Sequence, residues 1–272
     1  MLDGYGQPRL AEAPEPAAPA LRVLACGLCG SDVEKLGVAA AGTVLGHEVV
    51  AQREDVGRVA LVHHLPCGEC ERCLAGHEST CDRFAVPTIV PGGFAERVAE
   101  AEGVELPEGV RDEIGTYVEP LACVLRGAER VPHGRVLVVG QGFVGRLFAE
   151  VLRRRGDDVY AIDSNPHRGG RPPDGQVDAA VVCAPAAPLD LVAPGGTVVL
   201  FADAGAIDAG VVYRRELTLT GSRSATPRHM EEAAALLPQL DVPEPTVLPL
   251  EHFAEGVDLY RSGRALKVVF TP

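Results

Sequence analysis

Residues 135–145 read RVLVVGQGFVG, and this stretch decides the fold of the second half of the chain. A run of aliphatic residues feeds directly into a G-x-G-x-x-G turn, and apolar residues then recur with a helical period from Phe143 to Leu152. The order predicts a buried strand, a tight turn and a helix. The first glycine makes the turn, the second lets a pyrophosphate approach the backbone, and the third lets helix pack on strand. The free N–H groups that begin the helix favour the phosphates of a dinucleotide. The residues predicted to bind the cofactor here are Gly140, Gly142, Phe143, Val144 and Gly145.

The next predicted strand, Asp158–Asp163, ends in an acidic residue 18 positions after Gly145. A carboxylate at this point accepts the ribose hydroxyls of NAD and repels the 2′-phosphate of NADP. Arg168 and Arg171 follow closely, and either guanidinium offers a site for that phosphate. We therefore expect Asp163 to bind NAD, with NADP as the alternative cofactor. A methyltransferase of related fold is a further alternative, although its glycine spacing and strand layout usually differ.

The dinucleotide-binding half is shorter than usual. Only 13 residues, 164–176, separate Asp163 from Val177, which begins the next apolar run, and three of them are proline. A crossover between parallel strands needs at least about 10–12 residues before any strand is counted. The sequence therefore predicts that the third strand and its helix are missing and that the sheet order is 2-1-4-5-6. The linker 184–194 is too rich in proline for a long helix. We expect weaker cofactor binding on the adenosine side and an intact geometry for hydride transfer.

The eight cysteines fall into different groups, and four of them lie within residues 67–81, CGECERCLAGHESTC. Thiolates with such short spacers converge on one Zn²⁺ in a closed tetrahedral site. Two disulfides are one alternative, which the reducing cytosol expected for this chain disfavours. A zinc knuckle that binds nucleic acid is the other, which the acidic charge of the chain and the lack of nearby aromatic residues disfavour. The predicted structural-zinc ligands are Cys67, Cys70, Cys73 and Cys81. We expect Cys26, Cys123 and Cys183 to be small buried apolar residues.

Composition narrows the class of protein. The 272 residues predict about two domains, and the formal charge of −13 argues against nucleic acid or an anionic membrane surface as partner. No run of 18 apolar residues predicts a membrane span, and the N-terminal residues lack the pattern of a secretory signal. We expect a cytoplasmic protein.

Several motifs occur in one order along the chain. They are Cys29-Gly-Ser-Asp32, Gly46-His-Glu48, the four-cysteine cluster, Glu119-Pro-Leu-Ala122 and the glycine-rich turn. This order resembles the zinc-dependent medium-chain dehydrogenases, the alcohol and polyol dehydrogenase family. The resemblance implies an α/β architecture with two domains. Residues 1–123 and 223–272 would form a GroES-like, β-rich catalytic domain with a structural zinc lobe at about 64–84. Residues 124–222 would form a trimmed Rossmann domain with a doubly wound parallel sheet.

The same resemblance implies a catalytic zinc. Cys29, His47 and Glu119 correspond to its ligands in the polyol dehydrogenase branch, and Glu48 corresponds to an acid that exchanges with water at the metal. Three protein ligands and one open position are what a catalytic zinc requires. Asp32 is placed to orient His47 through its second ring nitrogen, with helix capping as the alternative.

Three further residues receive roles from the resemblance. Ser31 would take the hydroxyl proton of an alcohol, and it is also a plausible N-cap. Glu34 stands where many relatives carry a histidine that passes the proton to solvent; a carboxylate relay and a plain surface residue are equally good interpretations. Lys267 corresponds to a basic residue near the cofactor pyrophosphate, with a solvated lysine on an edge strand as the alternative.

These features predict a zinc-dependent oxidoreductase that transfers a hydride between a secondary alcohol and NAD. The Glu-Pro-Leu motif favours a polyol, sugar, cyclitol or aminocyclitol. A redox-neutral zinc and NAD enzyme for elimination or epimerisation is one alternative, and a non-catalytic zinc- and nucleotide-binding protein is another. The alternating segment Leu217–Ser222 predicts a strand. The family resemblance implies that this strand pairs across a two-fold axis, in a homodimer or homotetramer.

Overall fold

A computed structural model describes residues 1–272 and divides the chain into two compact units. The first unit contains Met1–Ala122, Ala225–Gln239 and Pro243–Pro272, and the second contains Cys123–Ser224 with Leu240–Val242. No helix has both the length and the apolar character needed to cross a membrane.

The secondary structure comprises twelve strands and eight α-helices. The strands, in chain order, are β1 Ala20–Gly27, β2 Glu48–Arg53, β3 Gly57–Leu61, β4 Arg97–Ala99, β5 Gly103–Glu105, β6 Arg135–Val139, β7 Asp158–Ile162, β8 Val177–Val182, β9 Val192–Leu200, β10 Thr218–Gly221, β11 Thr246–Pro249 and β12 Val268–Thr271. The helices are α1 Gly30–Lys35, α2 Glu71–Leu74, α3 Asp112–Gly115, α4 Val118–Ala128, α5 Phe143–Arg154, α6 Ala209–Arg215, α7 Pro227–Leu236 and α8 Phe253–Arg261.

The first unit is built on a seven-stranded sheet of order β11-β12-β1-β2-β3-β5, with β4 paired to β1. Most of its pairings are antiparallel, and β11 and β12 run parallel. Its core includes three aromatic rings, Phe94, Phe253 and Phe270, whose centroids lie 5.0–5.5 Å apart. This β-rich unit confirms the predicted GroES-like domain class.

The register of β1 and β2 positions the residues of the predicted metal site. The two strands are antiparallel, and Gly27 at the end of β1 lies opposite Glu48 at the start of β2. Residues just after β1 therefore lie beside residues just before β2. This register brings residues 29 and 47 together although they are 18 positions apart in the chain.

The second unit contains a five-stranded parallel sheet of order β10-β9-β8-β6-β7. Read from the other edge, this order is the predicted 2-1-4-5-6, so the expected loss of the third strand and its helix is confirmed. The central strand β6 is almost wholly buried from Val136 to Val139, as expected for a parallel strand covered on both faces. The predicted linker 184–194 contains no long helix: a 3₁₀ turn, Leu189–Leu191, is followed directly by β9 at Val192.

The segment 164–176 covers the edge of β7 where a third strand would otherwise pair. The N–H of Ala161 in β7 donates to the carbonyl of Arg171 at 2.8 Å. The Arg171 guanidinium lies 4.3 Å from the ring centre of Tyr160 and donates to Asp158 at 2.8 Å. Gly170 has φ +148°, and a Cβ at this position would lie 2.5 Å from the Ala161 carbonyl oxygen. The short segment thus protects the sheet edge with one backbone hydrogen bond and one stacked arginine.

Replacing Arg171 with alanine should lower the free energy of unfolding by about 1 kcal/mol, because it removes the cation–π contact and an exposed ion pair. Urea unfolding of the purified protein measures the loss. Arg261→Ala is the matched control, since Arg261 is exposed and makes no contact of this kind. Equal stability of the Arg171 variant and the wild type would contradict the assigned role.

Candidate metal centre and cofactor site

Three side chains from the β1–β2 region converge in the first unit. The ligand atoms of Cys29, His47 and Glu48 all lie within 4.8 Å of one another. Cys29 is the N-cap of α1, His47 immediately precedes β2, and Glu48 is its first residue. His47 is 8% and Glu48 2% exposed, whereas Cys29 is half-buried. A thiolate, an imidazole and a carboxylate at this separation form a donor set that suits zinc.

Asp32 holds this donor set in place. Its carboxylate lies 3.3 Å from Nδ1 of His47 and accepts hydrogen bonds from the backbone N–H of Cys29 at 3.1 Å and of Gly46 at 3.2 Å. The contact through Nδ1 leaves Nε2 of His47 as the nitrogen available to a metal. Asp32 therefore has both predicted roles: its buried carboxylate orients His47 and also accepts the N–H of Cys29, the N-cap of α1.

The electrostatics of the pair match this geometry. Burial disfavours the charged imidazole, but the Asp32 carboxylate outweighs it and raises the pKa of His47 well above its ordinary value. Burial also opposes ionisation of Asp32, yet the charge of His47 and the N–H groups of Cys29 and Gly46 lower the pKa of this carboxyl overall. Asp32 is consequently a charged acceptor at neutral pH.

Glu119 lies on a different element from the three convergent residues. It is the second residue of α4 and is 8% exposed. The group of mutually close ligand atoms contains Glu48 and does not contain Glu119. The role of Glu119 as the third ligand stays a prediction.

Lys267 has a buried partner in the first unit. Its ammonium donates to the Glu48 carboxylate and, at 3.1 Å, to the carbonyl of Leu28, and the side chain is 2% exposed. The interpretation of Lys267 as a solvated edge-strand residue is therefore wrong. A Cβ on Gly27 would lie 2.1 Å from a Glu48 carboxylate oxygen, so only glycine leaves room for this carboxylate. The predicted contact of Lys267 with the cofactor pyrophosphate stays a prediction.

Ser31 and Glu34 lie on α1 beside the centre. Cys29 is the N-cap of this helix, so the interpretation of Ser31 as the N-cap is wrong. Ser31 is half-buried, and Glu34 is exposed with its carboxylate in solvent. The roles of Ser31 and Glu34 in proton transfer stay predictions.

Two residues near the centre have no role in the sequence-based assignment. The His63 ring lies 4.5 Å from the His47 ring, and burial, reinforced by the charge of His47, lowers the pKa of His63 to about 3. The Tyr260 hydroxyl lies 3.0 Å from the position a Cβ would take on Gly30. His63 and His64 lie in the sequence just before Cys67, whereas no sequence signal points to Tyr260.

The four-cysteine cluster converges as the spacing predicted. The sulfur atoms of Cys67, Cys70, Cys73 and Cys81 lie within 4.8 Å of one another, and no cysteine forms a disulfide, so the disulfide interpretation is wrong. Backbone N–H groups point at the sulfurs: Cys67 donates to Cys81 at 3.4 Å and Cys70 to Cys67 at 3.3 Å. Hydrogen bonds from the N–H groups of Asp82 and Cys73 lower the pKa of Cys70 to about 6. The chemistry of this donor set fits a closed structural zinc site.

In the second unit, the glycine-rich turn has the shape that a pyrophosphate requires. Gly140 has φ +92°, and a Cβ on Gly145 would lie 1.8 Å from the Gly140 carbonyl oxygen. Gly142 is the N-cap of α5, so the free N–H groups of the first helical turn are directed outward beyond it. These features fit a dinucleotide at the carboxyl edge of the sheet.

Asp163 lies at the end of β7 beside this turn. Its carboxylate accepts the N–H of Gln141 at 2.6 Å and of Asn165 at 2.7 Å, and it lies 3.6 Å from the Arg168 guanidinium. Burial opposes ionisation, but these backbone donors and Arg168 lower the pKa of Asp163. The carboxylate is therefore charged and fixed in orientation next to the turn.

A parallel sheet with a dinucleotide turn, together with a thiolate–imidazole–carboxylate centre in a β-rich unit, defines a metal-dependent dehydrogenase. The family of alcohol dehydrogenase GroES-like domains matches residues 16–108. A D-altritol 5-dehydrogenase of Agrobacterium fabrum is 31% identical, over 85% of this chain and 85% of its own. The chain belongs to the zinc-dependent medium-chain alcohol and polyol dehydrogenase family, and it is an oxidoreductase of that family.

Two further comparisons show how much of the chain this likeness covers. A sorbitol dehydrogenase of Halalkalibacterium halodurans is 27% identical over 99% of this chain and 97% of its own. That alignment spans 332 positions against 272 residues here, so the relative contains segments that this chain lacks. The structure of galactitol-1-phosphate dehydrogenase from Escherichia coli shares the fold with a TM-score of 0.80 at 23% identity, covering 100% of this chain and 99% of that one.

Proposed function

We propose that the enzyme oxidises a secondary hydroxyl of a polyol, sugar, cyclitol or aminocyclitol reversibly with NAD. The observation that carries the proposal is the convergence of Cys29, His47 and Glu48 within 4.8 Å. The relatives support the substrate class, since they include enzymes named for altritol, galactonate and sorbitol.

Two zinc ions serve the protein in this proposal. The four-cysteine cluster holds the structural ion, and Cys29 and His47 hold the catalytic ion together with Glu48 or Glu119. A catalytic zinc supplies Lewis acidity that lowers the pKa of a substrate hydroxyl, and the nicotinamide supplies the hydride acceptor.

The protein's own residues position the reaction and move the proton. Asp32 keeps His47 in the tautomer that offers Nε2. The Ser31 hydroxyl takes the proton of the substrate hydroxyl and gives up its own proton in the same step; the exposed Glu34 carboxylate accepts that proton and releases it to solvent. The glycine turn from Gly140 to Gly145 holds the pyrophosphate.

At the adenosine end, the charged Asp163 favours the ribose hydroxyls of NAD. Arg168, 3.6 Å from Asp163, is the residue through which NADP would be accommodated instead. Lys267 supports the pyrophosphate in the family-based assignment, although its observed partner is Glu48.

The proposal includes location and assembly. The eight cysteines form no disulfide, which supports a reducing compartment, the cytoplasm. Strand β10 pairs with β9 alone, and this open edge supports a homodimer or homotetramer joined through that strand.

One experiment tests the central proposal. Native mass spectrometry and metal analysis of the purified protein should show two zinc ions per chain, and a polyol and cyclitol panel should yield NADH. NAD that remains bound without net reduction would instead indicate a redox-neutral elimination or epimerisation. Intact metal with neither turnover nor bound nucleotide would indicate a non-catalytic binding protein.

Ser31→Ala should lower the turnover rate by roughly 10²–10⁴, because a positioned proton acceptor contributes about this factor. Steady-state kinetics at constant zinc content measures the effect. Ser31→Thr, which keeps the hydroxyl, is the control and should retain most of the activity. An unchanged rate in the alanine variant would remove Ser31 from the proton path.

A further inference from the structure

Tyr260 places an unpaired hydroxyl beside the metal centre. The residue lies on α8, is half-buried and packs its ring against the apolar core of the first unit. Its hydroxyl makes no hydrogen bond within the protein, and the oxygen is not among the atoms that are sealed from solvent. Buried polar groups almost always find a partner in protein, water or a bound ligand. A hydroxyl on a packed ring that is unpaired and still accessible is therefore available to a ligand.

The hydroxyl lies next to the residue that follows the metal ligand Cys29. The position that a Cβ would take on Gly30 lies 3.0 Å from the Tyr260 oxygen. Apart from the chain neighbours of Gly30 and the backbone of α1, no other heavy atom comes within 4 Å of that position. The glycine therefore leaves a gap beside the metal centre, and the Tyr260 hydroxyl is the one group from elsewhere in the chain that borders it.

The surroundings keep this hydroxyl protonated. Burial raises the pKa of Tyr260 to about 12, and negative charges nearby add to the shift. These charges belong to Cys29, Glu48, Glu34 and Asp32. Near neutral pH the phenol is consequently a neutral group that both donates and accepts a hydrogen bond.

The same charges favour a neutral ligand over an anionic one. The four negative charges that act on Tyr260 outnumber the three positive charges that a bound zinc ion and the Lys267 ammonium supply. A phosphate or carboxylate group is therefore repelled from this point. A hydroxyl group of the substrate carries no such penalty, and it pairs with the phenol as donor or as acceptor.

A polyol that binds the metal through one oxygen carries a further hydroxyl on the neighbouring carbon. The gap that Tyr260 borders adjoins Cys29, within reach of such a hydroxyl. Resting on the proposed polyol oxidation, we propose that Tyr260 is a specificity-determining residue whose hydroxyl binds this neighbouring hydroxyl of the substrate. The contact selects a neutral polyhydroxy alcohol over a simple alcohol, because a simple alcohol leaves the phenol unpaired.

Steady-state kinetics of Tyr260→Phe with two kinds of substrate tests the proposal. Phenylalanine keeps the packed ring and removes only the hydroxyl. With the best polyol of the panel, we expect KM to rise roughly three- to tenfold and kcat to change less than about twofold, because one neutral hydrogen bond to the substrate is lost. Two analogues of that polyol each lack the hydroxyl on one of the carbons next to the oxidised carbon. For one of these analogues, the variant and the wild type should have equal KM values.

Tyr213→Phe is the matched control, since Tyr213 is 82% exposed and lies in the second unit. It should change KM for none of the three substrates. Metal analysis should find the same zinc content in the wild type and in both variants, which separates a lost substrate contact from a damaged metal centre.

Four results would overturn the assignment of Tyr260. An unchanged KM for the polyol is the first, and an equal rise in KM for the polyol and both analogues is the second, since the tyrosine would then shape the site as a whole. Loss of zinc from Tyr260→Phe would assign it to the metal centre, and weaker binding of ADP-ribose in calorimetry would assign it to the cofactor. A wild type that reduces NAD with no polyol would contradict the proposed function itself, and that result is distinct from the other four.

Discussion

Replacing Cys29 with serine should abolish NAD reduction and remove one of two zinc ions from each chain. A serine hydroxyl stays protonated near neutral pH, so the charged thiolate ligand is replaced by a weak neutral one. His47 and Glu48 alone do not complete a site of three protein ligands. The four-cysteine cluster shares no residue with this centre and should keep its ion. Metal analysis and turnover with the best polyol of the panel measure both effects.

Two further variants make the metal assignment specific. Cys70→Ser should remove the other zinc ion, because Cys70 belongs to the four-cysteine cluster alone. Cys123→Ala replaces a buried thiol outside both clusters and should leave two zinc ions and near-normal turnover. Full activity or two retained ions in Cys29→Ser would refute the assignment of Cys29 as a ligand.

The parts of the fold that local signals encode were predictable from the sequence. The apolar run before Gly140 and the periodic residues after it specify β6, the turn and α5, because strand and helix periods differ. The length of segment 164–176 was enough to predict a missing strand, since chain length limits what a crossover contains. The four-cysteine cluster was equally readable, as its spacers are short enough for direct convergence.

The catalytic centre required more than local signals. Cys29 and His47 meet only because β1 and β2 pair in one register, and this was expected from family resemblance rather than from spacing. The partner of Glu48 is Lys267, 219 positions away, and the sequence around either residue does not predict the pair. The contact of His63 with His47 is likewise a product of tertiary packing. The orientation of His63 was therefore not predictable from its neighbours in the chain.

Lys267→Met should lower the free energy of unfolding by about 3–5 kcal/mol, because it leaves the buried Glu48 carboxylate without a paired cation. Both side chains of the pair are 2% exposed, so water does not compensate for the lost ammonium. Total stabilities are typically about 5–15 kcal/mol, which makes this a large fraction of the whole. Chemical denaturation followed by circular dichroism measures the loss. The double variant Lys267→Met, Glu48→Gln removes the charge as well and should recover part of it.

The size of the loss should depend on the neighbouring metal. Zinc held by Cys29 and His47 gives the Glu48 carboxylate a second cation, so Lys267→Met should destabilise a Cys29→Ser background more than the wild type. The affinity for ADP-ribose tests whether the Lys267 ammonium also contacts the pyrophosphate. If it does, Lys267→Met should weaken ADP-ribose binding. If the ammonium binds only Glu48 and Leu28, the affinity should stay unchanged. A stability loss that is the same in both backgrounds would show that Glu48 is not electrostatically linked to the metal centre. The carboxylate would then serve Lys267 alone, and Glu119 would be the remaining candidate for the third ligand.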